Sequence, residues 1–237
     1  MQVEGTHYCF LELKNKLNIM TKAKFSQEKI LQDIDILLDN LKNQPIIAEK
    51  MKAFTYDEAK IQEGKTLWNI AKQQYELTKQ ESAESTQAYA DYTSKWKELQ
   101  QIYSFDRKKV RTLFKGKDEV LKALAVDKPE ARVYSVWITE VERFYERLQQ
   151  HSEYLKALEA MQLNLDHVKA QQPKVQEVIR LYSNYIREKG ESQDATQKKD
   201  IAFKNLQEWV RTCYGVAKIA LRDHKQLLES LAKLVKG

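Results

Sequence analysis

The sequence predicts an all-α protein made of two tandem helical-bundle repeats, each containing a long antiparallel helix hairpin. Three observations support this. The 237 residues include only three prolines and six glycines, the residues that punctuate turns and sheets. Apolar side chains recur at helical spacing along most of the chain. The stretch Val216 to Leu231, VAKIALRDHKQLLESL, echoes Lys109 to Leu124, KVRTLFKGKDEVLKAL, 107 residues upstream. Val110, Leu113, Phe114, Val120, Leu121 and Leu124 coincide with Ala217, Ala220, Leu221, Leu227, Leu228 and Leu231. Both copies break the pattern at one place, KGKD and RDHK, so each reads as the end of a long helix, a turn and a small closing helix.

Residues 1–19 match nothing in the second half and are expected to be a disordered leader or a non-native start, leaving repeats at 20–126 and 127–237. The first strong helix runs from Gln27 to Lys42, where Ile30, Ile34, Leu37, Leu38 and Leu41 form one stripe and Asp33, Asp35 and Asp39 leave the other side wet. Pro45 suits a first helical position, because its missing N–H would be unpaired there. A short helix follows to Met51, and Thr55 with Glu58 predicts a capping box for the next. That helix keeps its apolar spacing from Tyr56 to Thr78 and then meets KQESAESTQ, Lys79 to Gln87, before Tyr89, Tyr92, Trp96, Leu99, Ile102 and Tyr103 resume the pattern.

The polar stretch reads as a hairpin tip, since two antiparallel helices can cover each other's stripes. A second polar gap, REKGESQDATQKKD, spans 187–200. VDKPE, Val126 to Glu130, is the boundary between repeats. Val141, Phe144 and Leu148 are paired with Leu31, Ile34 and Leu38 at a shift of 110, and Asn164 to Val168 with Thr55 to Ala59 at 109. Gly64 and Pro173, also 109 apart, each weaken a helix interior and predict a bend or a late helix start.

Composition excludes more than it selects. Charged residues at 31% and apolar ones at 42% suit amphipathic helices, and a formal charge of +6 permits an acidic partner without requiring one. No apolar run approaches the ~20 residues a membrane-spanning helix needs. Cys9 and Cys213 form no CxxC or zinc pattern and read as reduced thiols in a cytoplasm, with Cys213 a buried small side chain. The only ExxH is Glu4 to His7, and His151, His167 and His224 lack a glutamate three residues before them, which argues against a di-iron bundle. With no GxGxxG or P-loop present, no catalytic, cofactor or metal residues are assigned.

One cluster has candidate chemistry. Arg107, Lys108, Lys109, Arg111, Lys115 and Lys117 could hold phosphates, with Tyr103 and Phe105 placed to stack on bases. The plainer reading is that these cations complement the carbonyl end of a helix.

The segment GESQDATQKKDIAFKNLQEW followed by VAKIALRDHKQLLESL resembles the ending of an uncharacterised bacterial helical family, whose pattern runs GEAQxAT, an aromatic, then ARIALxDxPQLLExLG. Ser192, Lys218 and Lys225 depart from it. Phe114 to Gly116, Trp137, Phe144 and Tyr145 also resemble that group. The resemblance implies the duplicated helical fold and no known activity. The resulting expectation is a non-enzymatic scaffold or protein-interaction module of a bacterial cytoplasm, with a protein partner or a second copy. Nucleic-acid or polyanion binding through the basic cluster and a membrane-acting role are the alternatives.

Overall fold

The computed structural model describes residues 26–231, which form eight α-helices and one short 3₁₀ turn, with no strand among the described residues. The helices are α1 (Gln27–Asn43), α2 (Pro45–Lys52), α3 (Glu58–Leu113), α4 (Asp118–Ala123), α5 (Tyr134–Gln150), α6 (Ser152–Leu158), α7 (Leu165–Ala220) and α8 (Lys225–Leu231). Residues 1–19, with Cys9, lie outside the described residues.

Local chemistry sets the boundaries. Ser26 Oγ accepts the Lys29 N–H at 3.2 Å to start α1, and Gln44 Oε1 accepts the Ile47 N–H at 2.6 Å to start α2 behind Pro45. The cap of α3 is Asp57, whose Oδ1 accepts the Lys60 N–H at 3.0 Å. Thr55, the expected cap, instead has a positive φ of 68° in the preceding turn. Asn164 caps α7 in the same way, accepting the His167 N–H at 2.9 Å. Gly116, at φ 82°, supplies the left-handed turn between α3 and α4 that a side chain would oppose.

Two expectations are corrected along the long helices. Residues 79–87 and 187–200 are not hairpin tips, because α3 and α7 run unbroken through them. A polar stretch does not itself stop a helix. Gln, Glu, Lys and Ala favour helix, and bonds four residues apart support it, Gln80 to Glu84 at 2.9 Å and Gln87 to Asp91 at 2.8 Å. Gly190 alone, worth about 1 kcal/mol, does not end α7. The late helix start also fails, since α3 and α7 begin upstream of Gly64 and Pro173. Pro173 lies on an exposed side of α7, where water can take the carbonyl it leaves unpaired.

Contacts divide the chain into two compact units. Of the described residues, one unit combines 26–77 with 197–231, and the other is Thr78–Thr196. Each therefore draws on both halves of the sequence. In the first unit, α1 and α2 bury Leu37, Leu41, Ile47 and Met51 with Trp68 and Ala71 of α3 and Leu206, Trp209 and Cys213 of α7. Trp68 Nε1 donates to the Leu31 carbonyl at 2.8 Å within that core. In the second unit, α5 buries Trp137, Phe144, Tyr145 and Leu148 against Leu99, Tyr103 and Val110 of α3 and Val175 and Val178 of α7. Here α3 and α7 run antiparallel, with Thr78 donating to the Ala195 carbonyl at 3.1 Å at one end and Asp106 meeting His167 at the other.

The element starts Gln27 and Tyr134, Pro45 and Ser152, Glu58 and Leu165, and Asp118 and Lys225 all stand 107 residues apart. Buried positions keep that shift: Leu31, Ile34, Leu37, Leu38 and Leu41 match Ile138, Val141, Phe144, Tyr145 and Leu148. The shift of 110 is thus displaced by three residues, about one turn, and that of 109 by two. An apolar stripe nearly superposes on itself after three or four residues, so the pattern alone did not resolve the register.

Candidate functional site

The polar chemistry of the Thr78–Thr196 unit gathers on the C-terminal part of α3. Asp106 is 1% exposed. Its carboxylate accepts from the Tyr145 hydroxyl at 3.0 Å, from Lys109 Nζ at 3.1 Å and from a ring nitrogen of His167 at 2.7 Å. The carboxylate is an acceptor, so His167 Nε2 carries the hydrogen. Burial first, then the Asp106 charge, pushes the Tyr145 phenol far above its ordinary range. One carboxylate thereby joins α3, α5 and α7, with three donors filling most of its capacity. The sequence spacing that set aside His167 could not show this contact, which joins residues 61 apart.

Beside Asp106 the basic cluster divides. Arg107 is 5% exposed and donates to the Tyr103 hydroxyl at 3.1 Å and to the Lys128 carbonyl, which also accepts from Arg111 at 3.3 Å. Lys109 faces Asp106 and lies 4.7 Å from the centre of the Phe105 ring, while Lys117 lies 5.8 Å from that of Phe114. Lys108, Arg111 and Lys115 are exposed. With Arg107, Ser104, Thr112 and Glu130 they surround a cleft of about 420 Å³.

Glu130 is shared with a second cleft of about 570 Å³, lined by Tyr92, Trp96, Gln100, Ala131, Arg132, Tyr134 and Trp137. Its Oε1 accepts the Trp137 indole N–H and its Oε2 the Ser104 hydroxyl, both at 2.9 Å. The aromatic walls pack edge to face, Tyr92 with Tyr134 at 5.6 Å and Trp96 with Trp137 at 6.0 Å. Burial, followed by Tyr182, Tyr89 and Tyr185, pushes the Tyr92 phenol up to about 12.

Compared with protein-family models, curated proteins and solved structures, the chain gives no match.

The aromatics first matched to the cations are not the ones in position. Tyr103 is fully buried in the core, and Phe105, 61% exposed, is not among the side chains around either cleft. Trp96 and Tyr134 are half-buried and line the second cleft. Trp96 was legible in principle, because it stands four residues from Tyr92 and Gln100 and twelve from Lys108 on one helical row. Tyr134 comes from α5 and had no such signal.

One further group could hold a cation. The carboxylates of Glu81, Glu188 and Glu191 offer oxygens within 4.8 Å of one another. Burial, then Glu84, Glu191 and Glu188, raises the Glu81 carboxyl above its ordinary value. Arg187 already bonds Glu188 at 2.5 Å and Glu191 at 3.4 Å. In the other unit Cys213 is fully buried and burial pushes its thiol up to about 12, a setting that opposes nucleophilic use.

Proposed function

We propose that this chain is a non-enzymatic interaction module, formed by tandem duplication, that takes an anionic partner on the cationic cleft of α3. The observation that carries the reading is the contrast within the basic cluster. Lys109 is held by a buried carboxylate, whereas Lys108, Arg111 and Lys115 stand exposed around one cleft. Their charges are in no ion pair among the described residues. Such a field attracts anions and accelerates their encounter.

The constant shift of 107 between helix starts and between buried rows supports the duplication, and the GESQDAT and VAKIAL segments support membership of the uncharacterised helical family. A non-enzymatic role agrees with the Asp106 hub, whose donors leave little capacity for a substrate. Among the described residues no helix is long and apolar enough to cross a membrane. A cytoplasmic setting is part of the same reading and rests on the cysteine pattern, two distant residues with no CxxC or disulfide framework.

Heparin-affinity chromatography of the full chain tests this against a Lys108→Glu, Arg111→Glu, Lys115→Glu variant. Retention at low salt, lost in the variant and at high salt, is expected. Equal retention of both proteins, or of neither, would overturn the reading.

A further inference from the structure

We propose that the cationic and aromatic clefts form one groove for single-stranded nucleic acid. The inference rests on the anionic-partner reading and adds the identity of that partner. Tyr92, Trp96, Gln100, Ser104, Lys108 and Thr112 form a continuous i, i+4 row of α3, an inclined ridge that rises about 30 Å while winding by roughly 200° around the helix, so the groove follows the turn of α3. Both clefts open along this ridge and meet at Glu130, which is bonded to Ser104 on one side and Trp137 on the other.

The chemistry changes along that length in the way a single strand requires. At the Lys108 end, cations and the Thr112 hydroxyl surround the cleft, which suits phosphate oxygens. At the Tyr92 end, the half-buried rings of Trp96 and Tyr134 line the cleft, one face of Tyr134 being covered by Tyr182 at 3.8 Å, and the exposed Arg132 places another cation beside them. Stacking on such rings needs bases that are not paired and stacked within a helix, so a duplex can use only the cationic half. An acidic peptide could likewise meet the cations, but it brings a planar group to the rings only where an aromatic or arginine side chain falls, whereas every nucleotide of a single strand carries one. Glu130 sits between the two halves and repels a phosphate there, so phosphates are expected at the two ends of the groove and a sugar or base at its centre.

Fluorescence anisotropy of a short labelled oligo(dT) tests this on the full chain, with a blunt duplex of similar charge and a heparin fragment as competitors. The oligonucleotide should bind at least tenfold more tightly than the duplex. Trp96→Leu and Tyr134→Ala should each weaken it by roughly 5- to 150-fold while leaving heparin binding unchanged. Trp96→Phe, which keeps a ring, should restore most of the affinity. Should Trp96→Leu not fold, Tyr134→Ala and the quenching of Trp96 fluorescence by the oligonucleotide decide the matter. Glu130→Gln, whose amide can still serve Trp137 and Ser104, should bind more tightly. Equal affinity for single strand and duplex, with no effect of the ring variants, would overturn the groove and leave the anionic-partner reading standing. Absence of binding to every polyanion at low salt would overturn both.

Discussion

Trp209 occupies the space that a side chain at Gly64 would need. A Cβ built on Gly64 lies 2.4 Å from Cη2 and 2.5 Å from Cζ2 of that indole, and the same ring meets Tyr56 edge-on at 5.9 Å. The glycine that read as a weak point in a helix is therefore the seat of an aromatic ring from α7. Gly64→Ala should gain about 1 kcal/mol of helix propensity and lose about 1–3 kcal/mol to overpacking, lowering the urea midpoint. Trp209→Phe removes the offending atoms, so the double variant should be less destabilised than the sum of the two single changes. An additive result would show that the contact does not constrain position 64.

Proline distinguishes a continuous α3 from a hairpin tip. Ala83 is exposed in the middle of the polar stretch, so Ala83→Pro removes no packing but deletes a helical hydrogen bond and clashes with the preceding turn. The expected loss is about 3 kcal/mol or more by chemical denaturation. A stability equal to the parent chain would mean that 79–87 tolerates a break.

Asp106 is the polar keystone of the Thr78–Thr196 unit. Asp106→Ala leaves Tyr145, Lys109 and His167 without their acceptor and should lower stability by about 3–5 kcal/mol. Asp106→Asn, which retains one acceptor oxygen, should lose less. Equal unfolding midpoints for Asp106→Ala and the parent would contradict the role.

Stability should fall as pH rises above about 9. Burial raises the Cys213 thiol from 9.0 to about 12 and, foremost among its causes, the Tyr56 phenol from 10.0 to about 12. Within those windows the unfolded chain has lost the proton that the folded chain keeps, so the unfolded state binds fewer protons and folding weakens with pH. Each such group contributes a slope of about 1.4 kcal/mol per pH unit. Cys213→Ala should flatten the decline measured by urea titration between pH 9 and 11, and an unchanged slope would show that the thiol does not contribute.

The helical class, the α1 stripe, Pro45 at the head of α2 and the closing segments after α3 and α7 were legible because each is written in spacing or in a local backbone requirement. The Asp57 cap was equally local but was missed in favour of Thr55, two residues earlier, whose φ of 68° puts it in the preceding turn, whereas Asn164, paired with Thr55 by the sequence, does cap its helix. Half of the candidate groove was legible too, through the cations of α3. Of its aromatic wall, Tyr92 and Trp96 lie on the same helix as the cations, but Tyr134 and Trp137 were not legible, because they arrive from α5 and no sequence period links one helix to another.

By itself, then, the sequence determined that the chain is helical, where its amphipathic faces lie and that its order of elements recurs. Tertiary structure decided how those faces pair: Gly64 under Trp209, Asp106 against Tyr145 and His167, and each compact unit drawing on both halves of the chain. The reason is physical. Periodicity records which side of a helix leaves water, but a narrow stripe is satisfied by any apolar neighbour. Only side-chain shape and the need to pair buried polar groups choose among the partners.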